Sequence, residues 1–487
     1  MKRTVLIFVL IIFLIFGCTL APKYERPAAP VPDAWPAGGI YREAVTPVPS
    51  ARPAWQDFIA DAGLQQMIET ALIHNRDLRV SALNVEKARA YYGIGRVSIL
   101  PTVNATGIWY KERIPADLSA SGSAYTAEKY SVNLGLTSWE IDFFGRIRSL
   151  KDNALEEYLA SRQALRGSEL VLVTTVAQAY LALAADREAL TLVLQTLEAQ
   201  EEAFSLIQKR YAAGMVSELD LRRAQSQVEA ARVDMARYQQ QIALDQNALR
   251  LLVGSDIEPE RMPSDLAGVL PCADLFAQLP SEALLSRPDV LAAEHRLKAA
   301  NANIGAARAA FFPRIALTTS VGTASNELSG LFRSGSDVWS FAPQITVPIF
   351  DARTWYAYDV AKLEKEIAVA QYEKSIQTAF REVADALAAK GTLEQQIKAQ
   401  KSLVEALSIA YRLSEFRYEK GIDSYLAVLD AQRTFYSARQ GLIMLRLARE
   451  SNRITLYKTL GGATASPVDE AVSSSEDRQP LDDAQGQ

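Results

Sequence analysis

Few residues in this chain have types and spacings suited to chemistry, and they point away from catalysis. Cys18 ends an apolar run, Val5 to Phe16, that follows Lys2 and Arg3. This reads as a secretory signal, too short to span as a membrane anchor, with a thiol at its end. The only other cysteine is Cys272, so an acylated Cys18 leaves no internal disulfide, although the compartment is oxidising. His74 and His295 fall out of register in the internal repeat described below, so they mark no repeated site and are expected as surface or belt residues, not ligands. HExxH, Walker A, GxSxG and paired CxxC patterns are missing, and the six methionines are scattered. No enzyme activity, resident metal or cofactor is expected. What remains is electrostatic: Leu219 with Asp220, and Leu426 with Asp430. The second pair lies four residues apart, on one helix face. On type and spacing alone, an Asp near a helix start reads as a solvated surface residue.

These residues sit in a chain that repeats itself. RYAAGMVSELDLRRAQ begins at 210 and RYEKGIDSYLAVLDAQ at 417, an offset of 417 − 210 = 207. At that offset Phe143 meets Phe350, Arg146 meets Arg353, Val176 meets Val383, and Gly254 meets Gly461. Upstream the offset is 212: Asp77 meets Asp289, Arg96 meets Arg308, and Pro101 meets Pro313. The chain is therefore two tandem copies of a unit of roughly 200 residues, far longer than a solenoid repeat.

Each copy reads in the same order. A helical pattern ends at Pro101 or Pro313. Two alternating, strand-like runs around a turn-rich segment follow, at about 102–140 and 314–349. A long helical stretch comes next, because no proline occurs from 116 to 258 or from 349 to 466. From Arg146 to Tyr211 that is roughly 100 Å of helix, which suits a coiled-coil-like wall. Gly214 and Gly421 fit helix C-caps, and Ser217 and Ser424 fit the N-caps of returning helices. The opening motif is thus a hairpin tip written twice. The predicted organisation is a signal peptide at 1–17, a proline-rich tether at 18–61, and a first repeat at 62–258. A linker at 259–279, a second repeat at 280–462 and a polar tail at 463–487 complete it. With 52 basic and 57 acidic residues interspersed, nucleic acid is not an expected partner.

Four strands with one apolar and one small polar face, on a secreted chain, suit an outer-membrane barrel. Four cannot close one, and open edges are not tolerated in lipid. Several copies must share a barrel. Two or three would serve. Trp109, Tyr110, Tyr130, Trp139 and Trp339 suit its aromatic belts.

The segment Ile15-Phe16-Gly17-Cys18 resembles a bacterial lipobox, and Thr19 after it favours the outer membrane over the inner. With WEIDFFGRIRSL at 139, ANANIGAARAAFFPRIAL at 300, QYEKSIQTAFREVADALA at 371 and SYLAVLDAQ at 424, the chain resembles the TolC-like outer membrane factor family, nearest its OprM- and NodT-type efflux lipoproteins. The resemblance implies a mainly α fold with membrane β. A homotrimer would form a 12-stranded barrel continued by a 12-helix periplasmic α-barrel, with a mixed equatorial belt. It implies the exit duct of a tripartite multidrug efflux pump, spanning the periplasm and outer membrane of a Gram-negative bacterium. Its partners would be a periplasmic adaptor protein, an inner-membrane resistance-nodulation-division transporter and outer-membrane lipid. Cys18 would carry the lipid. Leu426 and Asp430 would form the periplasmic gate, with Tyr418, Arg223, Asp220 and Leu219 as gate partners. The repeat aligns Asp430 with Arg223, since 430 − 207 = 223, and a contact between the two on neighbouring hairpins would hold the tip closed. Asp423 stands where TolC has an arginine, so that family member's lock does not transfer. Competing readings are a protein-secretion or metal-efflux duct of the same family, and a periplasmic adaptor lipoprotein.

Overall fold

The computed structural model describes residues 19–36, 38–41, 53–269, 272 and 281–462. The signal segment, Cys18 and the tail lie outside the described residues. The chain divides into two compact units. One comprises Met1–Ala28, Asn84–Arg162 and Ala292–Glu373, the other Ala29–Leu83, Gln163–Leu291 and Lys374–Gln487.

Helix α1, Ala62–His74, starts at Asp61, whose carboxylate accepts from the Leu64 amide at 2.9 Å. This satisfies one of the amide groups that a helix start leaves bare. Helix α2, Arg76–Val97, stops four residues before Pro101. Strands β1 (Val103–Ile114) and β2 (Tyr125–Ile141) form the first hairpin, and the long helix α3 spans Arg146–Ala212. Helix α4, Glu218–Val253, returns from the tip. The second copy repeats the order: α5 (Pro288–Ala309), β3 (Arg314–Ser325), β4 (Asp337–Thr346), α6 (Ala352–Glu419) and α7 (Tyr425–Thr459).

The first unit is built on the sheet. The two expected hairpins are fused into one antiparallel sheet, order β1-β2-β3-β4, because β2 also pairs with β3, Leu134 opposite Val321. At Gly135 an added Cβ would stand 2.1 Å from the Thr319 carbonyl oxygen, so only glycine lets these two strands meet. A bulge interrupts the pairing between Leu136 and Trp139, and within it Ser138 takes φ 53. Trp339, Phe341 and Ile345 of β4 are exposed. They form the apolar face that alternation predicted. β1 and β4 are the outer strands and have no further strand partner among the described residues.

The proline-rich segment is extended, as expected, but it is not a free tether where it is described. Pro22 accepts from Asn301 at 2.7 Å, and an added Cβ at Gly305 would meet the Ala21 amide nitrogen at 2.7 Å. In the second unit Trp35 stacks on Phe380 at 4.9 Å, and Gly391 leaves room for the Ile40 carbonyl.

The second unit is helical. Its core joins Phe58, Leu64, Ile68, Leu183, Leu249 and Ile454, with Phe58 stacked on Tyr457 at 4.4 Å. Arg287 is buried and tied to three partners: the Thr459 carbonyl at 2.7 Å, Asp289 at 2.8 Å and Glu382 at 2.9 Å. A buried guanidinium is tolerated when it is paired in this way. Helix α3 holds one stretch long and apolar enough to cross a membrane by length and composition, and just over half of it is buried inside the chain. The burial shows that these apolar residues serve helix packing.

Candidate functional site

The hairpin tips belong to the second unit, and both are closed by the same chain geometry. Gly214 has φ 71 and Gly421 φ 72. At each, the glycine amide donates to a carbonyl three residues back and the next amide to one five back, all at 2.9 Å. These are Schellman caps, which need a left-handed residue. Ser217 then caps α4, accepting from the Asp220 amide at 3.2 Å. Ser424 occupies the same position before α7 but makes no such bond.

The copies differ in how the turn is braced. Arg417 and Asp423 pair across the second tip at 2.6 Å, and the guanidinium holds Asp423 below the usual carboxylate range. In the first copy these positions are Arg210 and Val216, so no such pair forms; Arg210 instead lies over the Tyr418 ring at 5.5 Å. The sequence signal was available: opposite charges six residues apart on either side of Gly421.

The two tips pack on each other through Ile207 and Ala224 from the first and Tyr425, Val428 and Leu429 from the second. Tyr418 packs against this cluster and lies 5.2 Å from the Tyr425 ring. Burial pushes the Tyr425 phenol up to about 12. The Tyr418 hydroxyl is itself buried and makes no hydrogen bond among the described residues. Leu219 and Leu426 are both exposed. Asp430 pairs with Arg433 at 2.8 Å, and Arg223 with Asp220 at 3.8 Å. The expected Asp430–Arg223 contact is therefore not made within the chain. Each residue finds a partner one turn away on its own helix, where no second element has to be positioned.

His74 is exposed and lies 3.1 Å from the Thr70 carbonyl; His295 lies 2.6 Å from Glu156. Among the described residues no group of three or more His, Cys, Asp or Glu could hold a metal. Cys272 is buried, and burial pushes its thiol up to about 12, away from nucleophilic use.

The chain matches the outer membrane efflux protein family over residues 67–255 and 279–462. The chain belongs to that family. The toluene efflux pump outer membrane protein TtgC of Pseudomonas putida is 46% identical over 469 residues, 95% of this chain and 96% of that protein. A membrane protein of Pseudomonas aeruginosa has a crystal structure that superposes with a TM-score of 0.86 at 44% identity, covering 92% of this chain and 98% of that one. The open state of the Neisseria gonorrhoeae MtrE outer membrane channel gives 0.82 at 39% identity, covering 92% and 100%. As an outer membrane efflux protein, the chain is located in the outer membrane of a Gram-negative cell and extends into the periplasm. The two matched segments overlap the two tandem copies. Family membership also removes the adaptor reading, since the match spans both copies.

Proposed function

We propose that three copies of this outer membrane efflux protein form the exit duct of a tripartite pump of the resistance-nodulation-division type. The duct would carry small organic molecules across the periplasm and outer membrane. One observation carries the reading: a sheet whose two edge strands have no further strand partner among the described residues continues directly into helices of 67 and 68 residues. Unpaired edges in lipid demand further copies, and helices of that length line a tunnel better than they fill a core. The named toluene pump relative supports apolar cargo. A periplasmic adaptor and an inner-membrane transporter are the proposed partners, and acylated Cys18 the proposed anchor. A secretion duct of the same family is the weaker reading, because the named relatives are efflux proteins.

The gate is proposed at the second tip. Leu426 is half-exposed at the start of α7, and Asp430 follows one turn later. Around a threefold axis the leucines would make a dry ring and the carboxylates a cation-binding ring. Single-channel conductance in planar bilayers tests this. The Leu426→Ala/Asp430→Ala double variant is expected to conduct more and to lose block by divalent cations added on the periplasmic side. Wild-type conductance and block in that variant would remove these residues from the gate. No conductance from any variant, with the wild type assembled, would remove the duct reading.

A further inference from the structure

The two ends of the sheet leave complementary features exposed. Just past β4, Ile349 is 90% and Phe350 87% exposed. Just before β1, Leu100 is 61% exposed and lines a cavity of about 320 Å³ with Thr102, Trp139, Arg146, Ile147 and Leu150. Both features lie in the same compact unit.

The tandem repeat provides an internal template for how they relate. Inside the chain, β2 of the first copy pairs antiparallel with β3 of the second, so the foot of β2 lies beside the foot of β3, Ile141 opposite Ile315. There the aromatic corner after β2 closes on the residue before the strand-opening proline. Phe144 stacks on Phe312 with ring centroids 4.8 Å apart and planes at 23°. Phe312-Pro313 corresponds to Leu100-Pro101 at the 212 offset; at the 207 offset Phe143 corresponds to Phe350 and the stacked Phe144 to Asp351. The corner and the residue before the proline thus both have counterparts at the free edges, split between the end of β4 and the start of β1, with the one aromatic of the free corner at the Phe143 position. Phe143 and Phe144, which have their neighbour in the chain, are part-buried; Phe350, which does not, is exposed.

We infer that Phe350 of one copy seats against Leu100 in the cavity at the foot of β1 of the next copy, keying each seam between copies. This rests on the proposal that copies share one barrel. The key has a physical task. Side chains alternate faces with period two, so a one-residue slip at a seam would put the lipid-facing set in the lumen. An aromatic that fits only one hole fixes the register where strand hydrogen bonds alone do not. The cavity suits it: Leu100, Ile147, Leu150 and the Trp139 ring offer apolar contact, while Arg146 is held aside by Glu140 at 2.7 and 2.8 Å. Burying both side chains also removes apolar surface from water on assembly.

The test is a cross-link between copies. The Leu100→Cys/Phe350→Cys double variant, oxidised mildly in native outer membranes, is expected to give covalent trimers on non-reducing gels. Reductant should collapse them, and neither single variant should form them, because a disulfide requires Cβ atoms about 4 Å apart. Phe350→Ala should lower the temperature at which the trimer dissociates in mild detergent, and Phe350→Leu should restore most of it. A trimer by light scattering without the cross-link overturns the seat and leaves the shared barrel standing. A folded monomer overturns both. Labelling of Leu100→Cys by a lipid-dissolved maleimide in the assembled wild-type background would place an acyl chain in the cavity and overturn the proposal too.

Discussion

Arg26 closes on Glu294 with two nitrogens, Nη2 at 2.8 Å from Oε2 and Nε at 3.1 Å from Oε1. The Glu294 side chain is 3% exposed, and Tyr24 and Lys298 share its Oε1 at 3.2 Å. Burial pushes this carboxyl up, but the hydrogen bonds from Arg26 and Lys298 outweigh that and leave it below its usual range. The extended segment behind the proposed lipid anchor is thus tied to helix α5 by charge. Removing Arg26 leaves a buried carboxylate with Lys298 still beside it, which should cost less than the roughly 3 kcal/mol of a fully buried pair, because the Arg26 side chain is 50% exposed. Arg26→Ala and Glu294→Gln are both expected to speed amide exchange in residues 19–27 while palmitate labelling persists. Cys18→Ser should abolish the label and leave exchange unchanged. Unchanged exchange in both strap variants would show that the prolines alone hold the segment. The carboxyl's contribution is present above its unfolded pKa, about 4.3, and is lost as pH falls through the lower folded value.

The tip glycines make a second, cleaner prediction. An added Cβ at Gly214 or Gly421 would meet nothing within 4 Å, so the only obstacle to a side chain is the left-handed backbone. Gly214→Ala and Gly421→Ala should each cost about 1–2 kcal/mol, and asparagine should cost less. The readout is local: faster amide exchange at Met215 or Ile422, whose bonds close the caps. The second tip should suffer less, because the Arg417–Asp423 pair also spans it. Equal loosening of the two tips would show that this exposed pair adds nothing.

Why these tips were legible in sequence while the seam was not has a physical explanation. A Schellman cap is a local contract: glycine, a helix before it and a serine after it all lie within eight residues. The long helices were equally plain, since proline-free stretches of over a hundred residues leave few alternatives; α3 ends at Ala212, one residue past Tyr211. The β2–β3 pairing joins residues about 190 apart, and alternation in each strand says only that both are strands. Within one chain Asp430 and Arg223 do not meet, for the opposite reason. Aligning the copies placed a charge of each sign at one position, but Arg433 and Asp220 lay nearer along the helix. Repeat alignment shows which positions correspond, not which side chains touch.

Asp186 and Asp245 carry the last prediction. They face each other across the first hairpin, one on α3 and one on α4. The Asp245 Oδ1 accepts from Gln241 at 2.9 Å, whereas its Oδ2 is buried without a hydrogen bond among the described residues. Burial first, and then the bond to Asp245, push the Asp186 carboxyl up to about 7. A proton on Asp186 would serve the bare Oδ2, so the pair is most comfortable when it shares one. The sign follows from linkage. The folded state binds this proton more tightly than the unfolded chain, so its stabilisation is complete below the unfolded pKa of about 3.9 and fades as pH rises through about 7. The temperature of trimer dissociation should therefore fall as pH is raised from about 6 to about 8, the interval that brackets that value. Asp186→Asn keeps a donor toward Asp245 at every pH, and it should flatten the curve and raise its alkaline end. Asp245→Asn should flatten it too, because the repulsion needs both charges. If the wild type and the two variants lose stability in parallel over that interval, the titrating group lies elsewhere and the two aspartates do not share a proton.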